Sequence, residues 1–259
     1  MKEKINRIKH EDEELIFGRN PVTEALNSGR EIEKILIQKG AGGSVGRILH
    51  MAKEKGVPVR DESKANLDKK SAGASHQGVA AIISPYKYCS VEEILALAKK
   101  REEPPFIIIL DGLEDPHNMG AIMRTAECAG AHGVIVAKRR AAGITGTVAK
   151  ASAGAVEYLP CARVANIART VDMLKEQGLW IYACDMDGDT YYKADMKGPM
   201  ALVIGNEGSG ISRLVKSKCD FVVSIPMRGR ISSLNASNAA AILMYEIRKQ
   251  RDAVLRKNL

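Results

Sequence analysis

Asn118, Arg124, Glu207, Ser233 and Asn235 attract attention because each follows a short run of buried-type apolar residues. Asn118 and Arg124 lie in DGLEDPHNMGAIMRTAECAG (111–130), after FIIIL. Glu207 lies in GNEGSGIS (205–212), after ALVI, and Ser233 and Asn235 lie in IPMRGRISSLNASNAAA (225–241), after FVVS. In an open α/β sheet, ligands bind beyond the carboxyl ends of the strands, so these three segments are where chemistry is expected. A planar guanidinium such as that of Arg124 can clamp a phosphate through its fork of donors. The three glycines around the single acid of GNEGSG would let backbone approach a flat ligand closely.

Each feature also has a purely structural reading. GNEGSG fits neither GxGxxG nor the GxxxxGK[ST] phosphate loop, and alone it is a turn. Asn118, with Gly120 behind it, can cap the helix that carries Arg124, and Ser233, Asn235 and Ser237 are helix-start residue types. His117 has no Asp or Ser partner at motif spacing and reads as a loop histidine. No group of residues has metal-ligand spacing, so no metal is expected. It is the joint occurrence of the three segments at successive strand ends that makes a site.

The elements that must hold these segments are legible as apolar runs. FIIIL (106–110), GVIVA (133–137), LWIYAC (179–184), ALVIG (201–205) and FVVSI (221–225), separated by helical stretches, predict a parallel sheet covered on both faces. Ahead of it, residues 85–105 read as a linker holding a helix, with Ser90 and Glu93 as a capping box and Pro104 and Pro105 as its stop. Residues 15–84 read as a small α/β domain. Asn20 caps a helix opened by Pro21 and stopped by Gly29, then come KILIQ (34–38), a glycine turn at 40–43, a helix over 45–55, VPVR (57–60), a helical stretch over 62–70 and GVAAIIS (78–84). Residues 1–14 mix both signs of charge and read as a flexible arm.

The chain has 259 residues and 45% hydrophobic residues, enough for two domains. Lys and Arg total 39 against 31 Asp and Glu, a net charge of +8, which favours a polyanionic partner or else an ordinary solvated surface. The five cysteines are dispersed, with no CxxC pair, and read as buried thiols of a reducing compartment. No apolar run reaches the roughly 18 residues of a membrane span, and the charged N-terminus lacks the apolar core of a signal peptide, so no membrane association and a cytoplasmic location are expected.

Taken together, NMGAIMRTAECAG, ALVIGNEGSGIS and IPMRGRISSLNASNAAA resemble the three signature motifs of the SpoU (TrmH-like) RNA ribose methyltransferases of the SPOUT superfamily, in the same order and spacing. FGRNPVTEALNSGREIEKILIQ and the later HQGVAAI resemble that family's N-terminal substrate-binding domain, so nearly the whole chain is covered. The branch it looks most similar to methylates a guanosine ribose in bacterial 23S ribosomal RNA, with tRNA as the alternative substrate. The resemblance implies a small α/β substrate-binding domain followed, over 106–259, by a parallel sheet with a C-terminal trefoil knot, against the general rarity of knots. It implies S-adenosyl-L-methionine in the knot loops, around Gly205, Asn206, Gly208, Ile225, Met227 and Leu234, and a homodimer that completes each site across its interface. It places Asn118 and Arg124 on the first motif's Asn and Arg, Glu207 on the second motif's acid, and Ser233 and Asn235 on the third.

A sulfonium methyl is already activated, so such an enzyme mainly aligns a ribose 2′-oxygen and eases loss of its proton. An ordinary guanidinium titrates above pH 12 and is a poor base, so Arg124 reads as an organiser of phosphate and hydroxyl. Glu207 would orient Arg124 or Asn118, and Ser233 and Asn235 would fix the cofactor loop and substrate backbone. In the first domain Arg19, Arg30, Lys34 and Lys39 are expected to meet RNA phosphates, with Phe17 as a stacking ring. Two rival classes are weighed against this. A non-catalytic RNA-binding or ribosome-assembly protein would need only the charge and the small domain. A nucleotide-dependent oxidoreductase lacks both its glycine fingerprint and the acid about 20 residues beyond it.

Overall fold

The structure, a computed structural model, describes residues 8–10, 13–27, 31–43, 45–71, 73–83 and 86–255. The helix stop at Gly29, the RNA contact at Arg30, the ends of the strand and linker at 84 and 85, and most of the N-terminal arm lie outside these residues. The chain forms two compact units, one of residues 1–87 with 143–147, the other of 88–142 with 148–259.

The first unit contains β1 (Ile8–His10), β2 (Glu13–Phe17), α1 (Arg19–Asn27), β3 (Ile32–Gln38), α2 (Val45–Glu54), β4 (Val59–Glu62), α3 (Lys64–Ser71) and β5 (Val79–Ile83). Its sheet runs β1-β2-β5-β3-β4, antiparallel except for the parallel β3–β4 pair. Order begins before Leu15, because Ile8–His10 pairs with Glu13–Leu15. α1 starts at Arg19 rather than after Asn20. Gly18, at φ +100°, turns the chain, and its carbonyl accepts from the Val22 amide at 3.2 Å, so Asn20 sits within the first turn. Phe17 is 7% exposed and packs with Leu36, Leu67 and Ile82, which removes it as a stacking ring.

The second unit contains α4 (Val91–Lys100), β6 (Phe106–Asp111), α5 (Pro116–Cys128), β7 (Gly133–Ala137), α6 (Gly146–Ala151, its first two residues belonging to the first unit), β8 (Cys161–Val164), α7 (Ile167–Glu176), β9 (Trp180–Thr190), β10 (Met200–Gly205), α8 (Arg213–Lys216), β11 (Phe221–Ser224) and α9 (Ala236–Leu255). Its six strands are all parallel, in the order β11-β9-β10-β6-β7-β8. Ile107 and Ile109 face a core shared with Val91 and Ile94 of α4, Val171 and Leu174 of α7 and Val215 of α8. Phe106 serves the opposite face, where the Arg251 guanidinium of α9 sits 5.2 Å above its ring. With both faces covered, the central strands must be apolar at every position, which is why FIIIL and ALVI show no alternation.

Two features of this sheet differ from the reading of the sequence. The strand Cys161–Val164 forms the edge beside β7, although CARV is short and interrupted by the charged Arg163. β9 runs on to Thr190 through polar DMDGDT, because β11 follows it past a register shift at Val222 and Val223. Gly188 permits this, since a Cβ there would lie 2.5 Å from the Val222 carbonyl. The Ser90–Glu93 capping box forms, with both reciprocal bonds present. The cysteines are not uniformly buried: Cys161 is buried, Cys89, Cys184 and Cys219 are half-buried, and Cys128 is exposed. Burial pushes the Cys184 thiol up to about 11 and Cys219 to about 12, so neither is a thiolate nucleophile near neutrality.

Candidate active site

The loop after β6 leads into α5, whose cap is Asp115 with Pro116 at the first turn; the Asp115 carboxylate accepts from the His117 amide at 2.9 Å. Asn118 is therefore not the cap, and His117 lies in the first helical turn rather than in a loop. Relieved of capping, the Asn118 amide bridges two other motifs. Its nitrogen donates to Glu207 Oε1, and its oxygen accepts from Asn235 Nδ2 at 3.0 Å. Residues 89 and 117 positions away in the chain thus meet on one side chain.

Asn235 is held by the helix it precedes. Its Oδ1 accepts from the Ser237 amide at 2.9 Å and the Ser237 hydroxyl at 2.6 Å, which leaves its amide nitrogen directed at Asn118. Ser237 is thus a positioning residue within the third segment. Gly120 lets α5 lie against α6 and the residue after it, since a Cβ there would meet Ala151 Cβ at 2.5 Å and the Val148 carbonyl at 2.9 Å.

The segment after β10 closes on itself. Asn206 and Gly210 exchange backbone bonds of 3.1 and 2.9 Å, and the Asn206 side chain accepts from the Gly208 amide at 2.8 Å while donating to the Gly112 carbonyl at 2.9 Å. Gly205 is required by the loop itself, because a Cβ there would lie 2.3 Å from Gly210 C and 2.4 Å from Ile211 N. The loop is pinned to β6 by Asp111, which accepts from the Ser212 amide at 2.8 Å.

Of the five candidate catalytic residues, three converge. Arg124 and Ser233 are exposed and have no hydrogen-bond or ion-pair partner among the described residues. Six positions beyond Asn118, Arg124 points about 240° around the helix from it. In the third segment Leu234 is 40% and Ile231 76% exposed, while Ile225 and Met227 are half-buried.

A cavity of about 1010 Å³ runs along the carboxyl ends of β6, β7 and β10 and beside β9, lined among others by Asp111, Arg139, Arg140, Asp185, Asn206 and Lys216. Of the six candidate cofactor residues only Asn206 lines it. Lys216 pairs with Asp185 at 2.9 Å and Asp187 at 2.6 Å, which holds the Asp187 carboxyl below its usual range and the Lys216 ammonium above its own. The sequence reading missed this group. Its only signal is the acid repeat in DMDGDT, which belongs to the part of β9 that was not foreseen. No group of His, Cys, Asp and Glu fit to hold a metal ion occurs among the described residues.

The family described as SpoU rRNA Methylase matches residues 105–245, and the one described as RNA 2′-O ribose methyltransferase substrate binding matches residues 15–89. A protein assigned to the TrmH family tRNA/rRNA methyltransferases in Bacillus subtilis (strain 168) is 44% identical over 241 residues, covering 92% of this chain and 96% of its own. One from Staphylococcus haemolyticus is 49% identical over 244 residues, covering 93% and 97%. Among solved structures, the SpoU methyltransferase AviRb of Streptomyces viridochromogenes, in complex with the cofactor AdoMet, is 27% identical with a TM-score of 0.60 and covers 93% of this chain and 91% of that one. The A. aeolicus TrmH/SpoU tRNA modifying enzyme is 25% identical with a TM-score of 0.55, over 63% of this chain and 84% of that one.

Proposed function

The chain belongs to the SpoU rRNA methylase family of RNA methyltransferases, and from that premise we propose that it transfers a methyl group from S-adenosyl-L-methionine to a ribose 2′-hydroxyl of RNA. The target within this reading is a guanosine of 23S ribosomal RNA, with tRNA as the alternative. The observation that carries the proposal is the junction of all three polar segments at Asn118.

The methionine-derived cofactor supplies an activated methyl on a sulfonium centre. The backbone of residues 225–234 suits its adenine and ribose, because among the described residues none of the amides there is engaged in a hydrogen bond, and Leu234 and Ile231 offer exposed apolar surface beside them. Gly205, Asn206, Gly208, Ile225, Met227 and Leu234 would hold it.

Asn118, fixed on both sides by Glu207 and Asn235, would orient the ribose hydroxyl, and positioning of this kind accounts for much of the barrier in such transfers. Glu207, an exposed carboxylate, would keep the Asn118 amide in one orientation through a charge-assisted bond. Arg124 would grip the target phosphate, and Ser233 the substrate backbone.

The Arg124 and Ser233 side chains lack partners among the described residues, and Ile242 and Tyr245 of α9 are 37% and 54% exposed. These features support a homodimer in which the second subunit completes the site. The return of residues 225–235 from the edge strand β11 to Asn118 supports a knotted C-terminal segment. No helix among the described residues is long and apolar enough to cross a membrane. Within this reading the protein works on RNA in the cytoplasm.

The test is nucleoside mass spectrometry of ribosomal RNA and tRNA pools incubated with the protein and the cofactor. A 2′-O-methylnucleoside, recovered from a bond that resists alkali, is expected in the ribosomal pool. A base-methylated nucleoside, or none in either pool, would overturn the reading.

A further inference from the structure

The first unit holds a second cavity, about 680 Å³, lined by residues of α1, the end of β3, α3 and the loop before β5. Its walls carry Arg19, Gln38, Lys64, Asp68, Ser75, His76 and Gln77, and the apolar side chains among the described lining residues are Ala41 and Ala74. A cavity of this size suits a small ligand or one unit of a polymer. With two cations against the single acid Asp68, and two side-chain amides and a hydroxyl beside them, the walls suit a polar ligand that carries negative charge.

The floor is built rigidly for binding. Gln77 is held at φ +49° and Gly78 at +75°, so two successive residues turn back on themselves, an arrangement rare for a side chain such as glutamine. Gln77 is tied to α1 twice: its Oε1 accepts from the Arg19 amide at 3.3 Å and its carbonyl from Arg19 Nε at 3.1 Å. The Gln38 backbone amide donates to the Gly78 carbonyl at 2.8 Å, fixing the other side.

His76, 8% exposed, is locked at both ring nitrogens. The Gly78 amide donates to Nδ1 at 2.9 Å, so Nε2 carries the proton and donates to Asp68 Oδ1 at 2.8 Å. The ring has no nitrogen left for proton transfer, and Asp68 is occupied with it.

The geometry points to this cavity as the site that holds one unpaired nucleotide of the RNA substrate, its phosphate between Arg19 and Lys64 and its base edge against the amides of Gln38 and Gln77. Among the described residues no Phe, Tyr or Trp lines the cavity and the His76 ring is buried, so recognition runs through phosphate contacts and amide hydrogen bonds rather than stacking. The assignment rests on the RNA substrate proposed above and adds where the first unit reads it.

The experiment is filter binding of the full chain to total ribosomal RNA and to total tRNA over a series of salt concentrations. Lys64→Glu reverses a cavity charge. Lys55→Glu makes the same change at an exposed lysine outside the cavity, and Gln38→Ala removes an amide without changing charge. Thermal melting confirms that each variant folds. Lys64→Glu is expected to weaken binding at least tenfold and lower the salt slope by about one. Lys55→Glu is expected to change affinity less than twofold, and Gln38→Ala to weaken it severalfold with the slope unchanged. Equal losses for the two lysine variants, or no loss for Lys64→Glu and Gln38→Ala, would overturn the cavity assignment while wild-type methyl transfer left the proposed function intact. Wild-type protein that neither binds nor methylates either pool would overturn both.

Discussion

Asn118 accepts a 3.0 Å hydrogen bond from Asn235, a residue 117 positions further along the chain, and donates its own amide N–H to Glu207. The three form a relay in which the middle amide cannot flip without losing both partners. Asn118→Ala should therefore lower methyl transfer roughly a hundredfold, as removal of one positioned donor commonly does. Asn235→Ala should cost activity and also about 1 kcal/mol of stability, since Asn235 caps α9. In steady-state kinetics the double variant should be little worse than Asn118→Ala alone, whereas independent contributions would multiply.

Arg124→Lys separates a bidentate clamp from a point charge. Loss of the fork should reduce kcat/KM about tenfold, matching the loss of one hydrogen bond between charged groups, with thermal stability unchanged because the side chain has no partner within the described residues. Near-normal kcat/KM in the lysine variant would remove the clamp role.

Gly205→Ala should destabilise the protein by about 1–3 kcal/mol, because the new methyl would overlap the backbone of Gly210 and Ile211. Urea unfolding midpoints measure this. An unchanged midpoint would mean that the 205–210 loop is held open in solution.

His132 is fully buried, with Nδ1 accepting from the Phe106 amide at 3.0 Å and Nε2 3.2 Å from Glu103. Burial is the largest influence and holds its pKa below the usual imidazole value, with Glu103 opposing and Arg101 and Arg251 adding to the depression. Since the folded value lies below the unfolded value of about 6.5, the neutral ring's contribution is fully present above that pH and is lost as pH falls through the folded value. Denaturant unfolding should show a lower stability at pH 5 than at pH 7.5. His132→Gln should flatten that part of the profile, and an identical profile in the variant would assign the dependence elsewhere.

The legible parts of this chain are those where residue type alone decides conformation. FIIIL and ALVI admit only a doubly covered strand, and Ser90 with Glu93 admits little but a helix start. The extension of β9 through DMDGDT was hidden because those residues have poor strand character by themselves and are held by β11 and the close approach at Gly188. Phe17 looks like a stacking ring until Leu36 and Leu67 close over it, a packing fact with no local signal. The site follows the same division. Asn118, Glu207 and Asn235 are visible as residue types after strands, but Asp115 takes the capping role that Asn118 has in the sequence reading, and only the fold shows that Asn118 is thereby available to the other two.

The most direct measurement is the rate of label transfer from tritiated S-adenosylmethionine to total ribosomal RNA from a strain lacking this gene, for wild type and Asn118→Ala, with cofactor affinity of both measured by calorimetry. The account predicts rapid transfer by wild type into one alkali-resistant position, transfer by the variant slower by about two orders of magnitude, and cofactor affinities within a fewfold of each other. Transfer by Asn118→Ala at the wild-type rate would contradict it, and would leave the relay of Asn235, Asn118 and Glu207 as scaffolding.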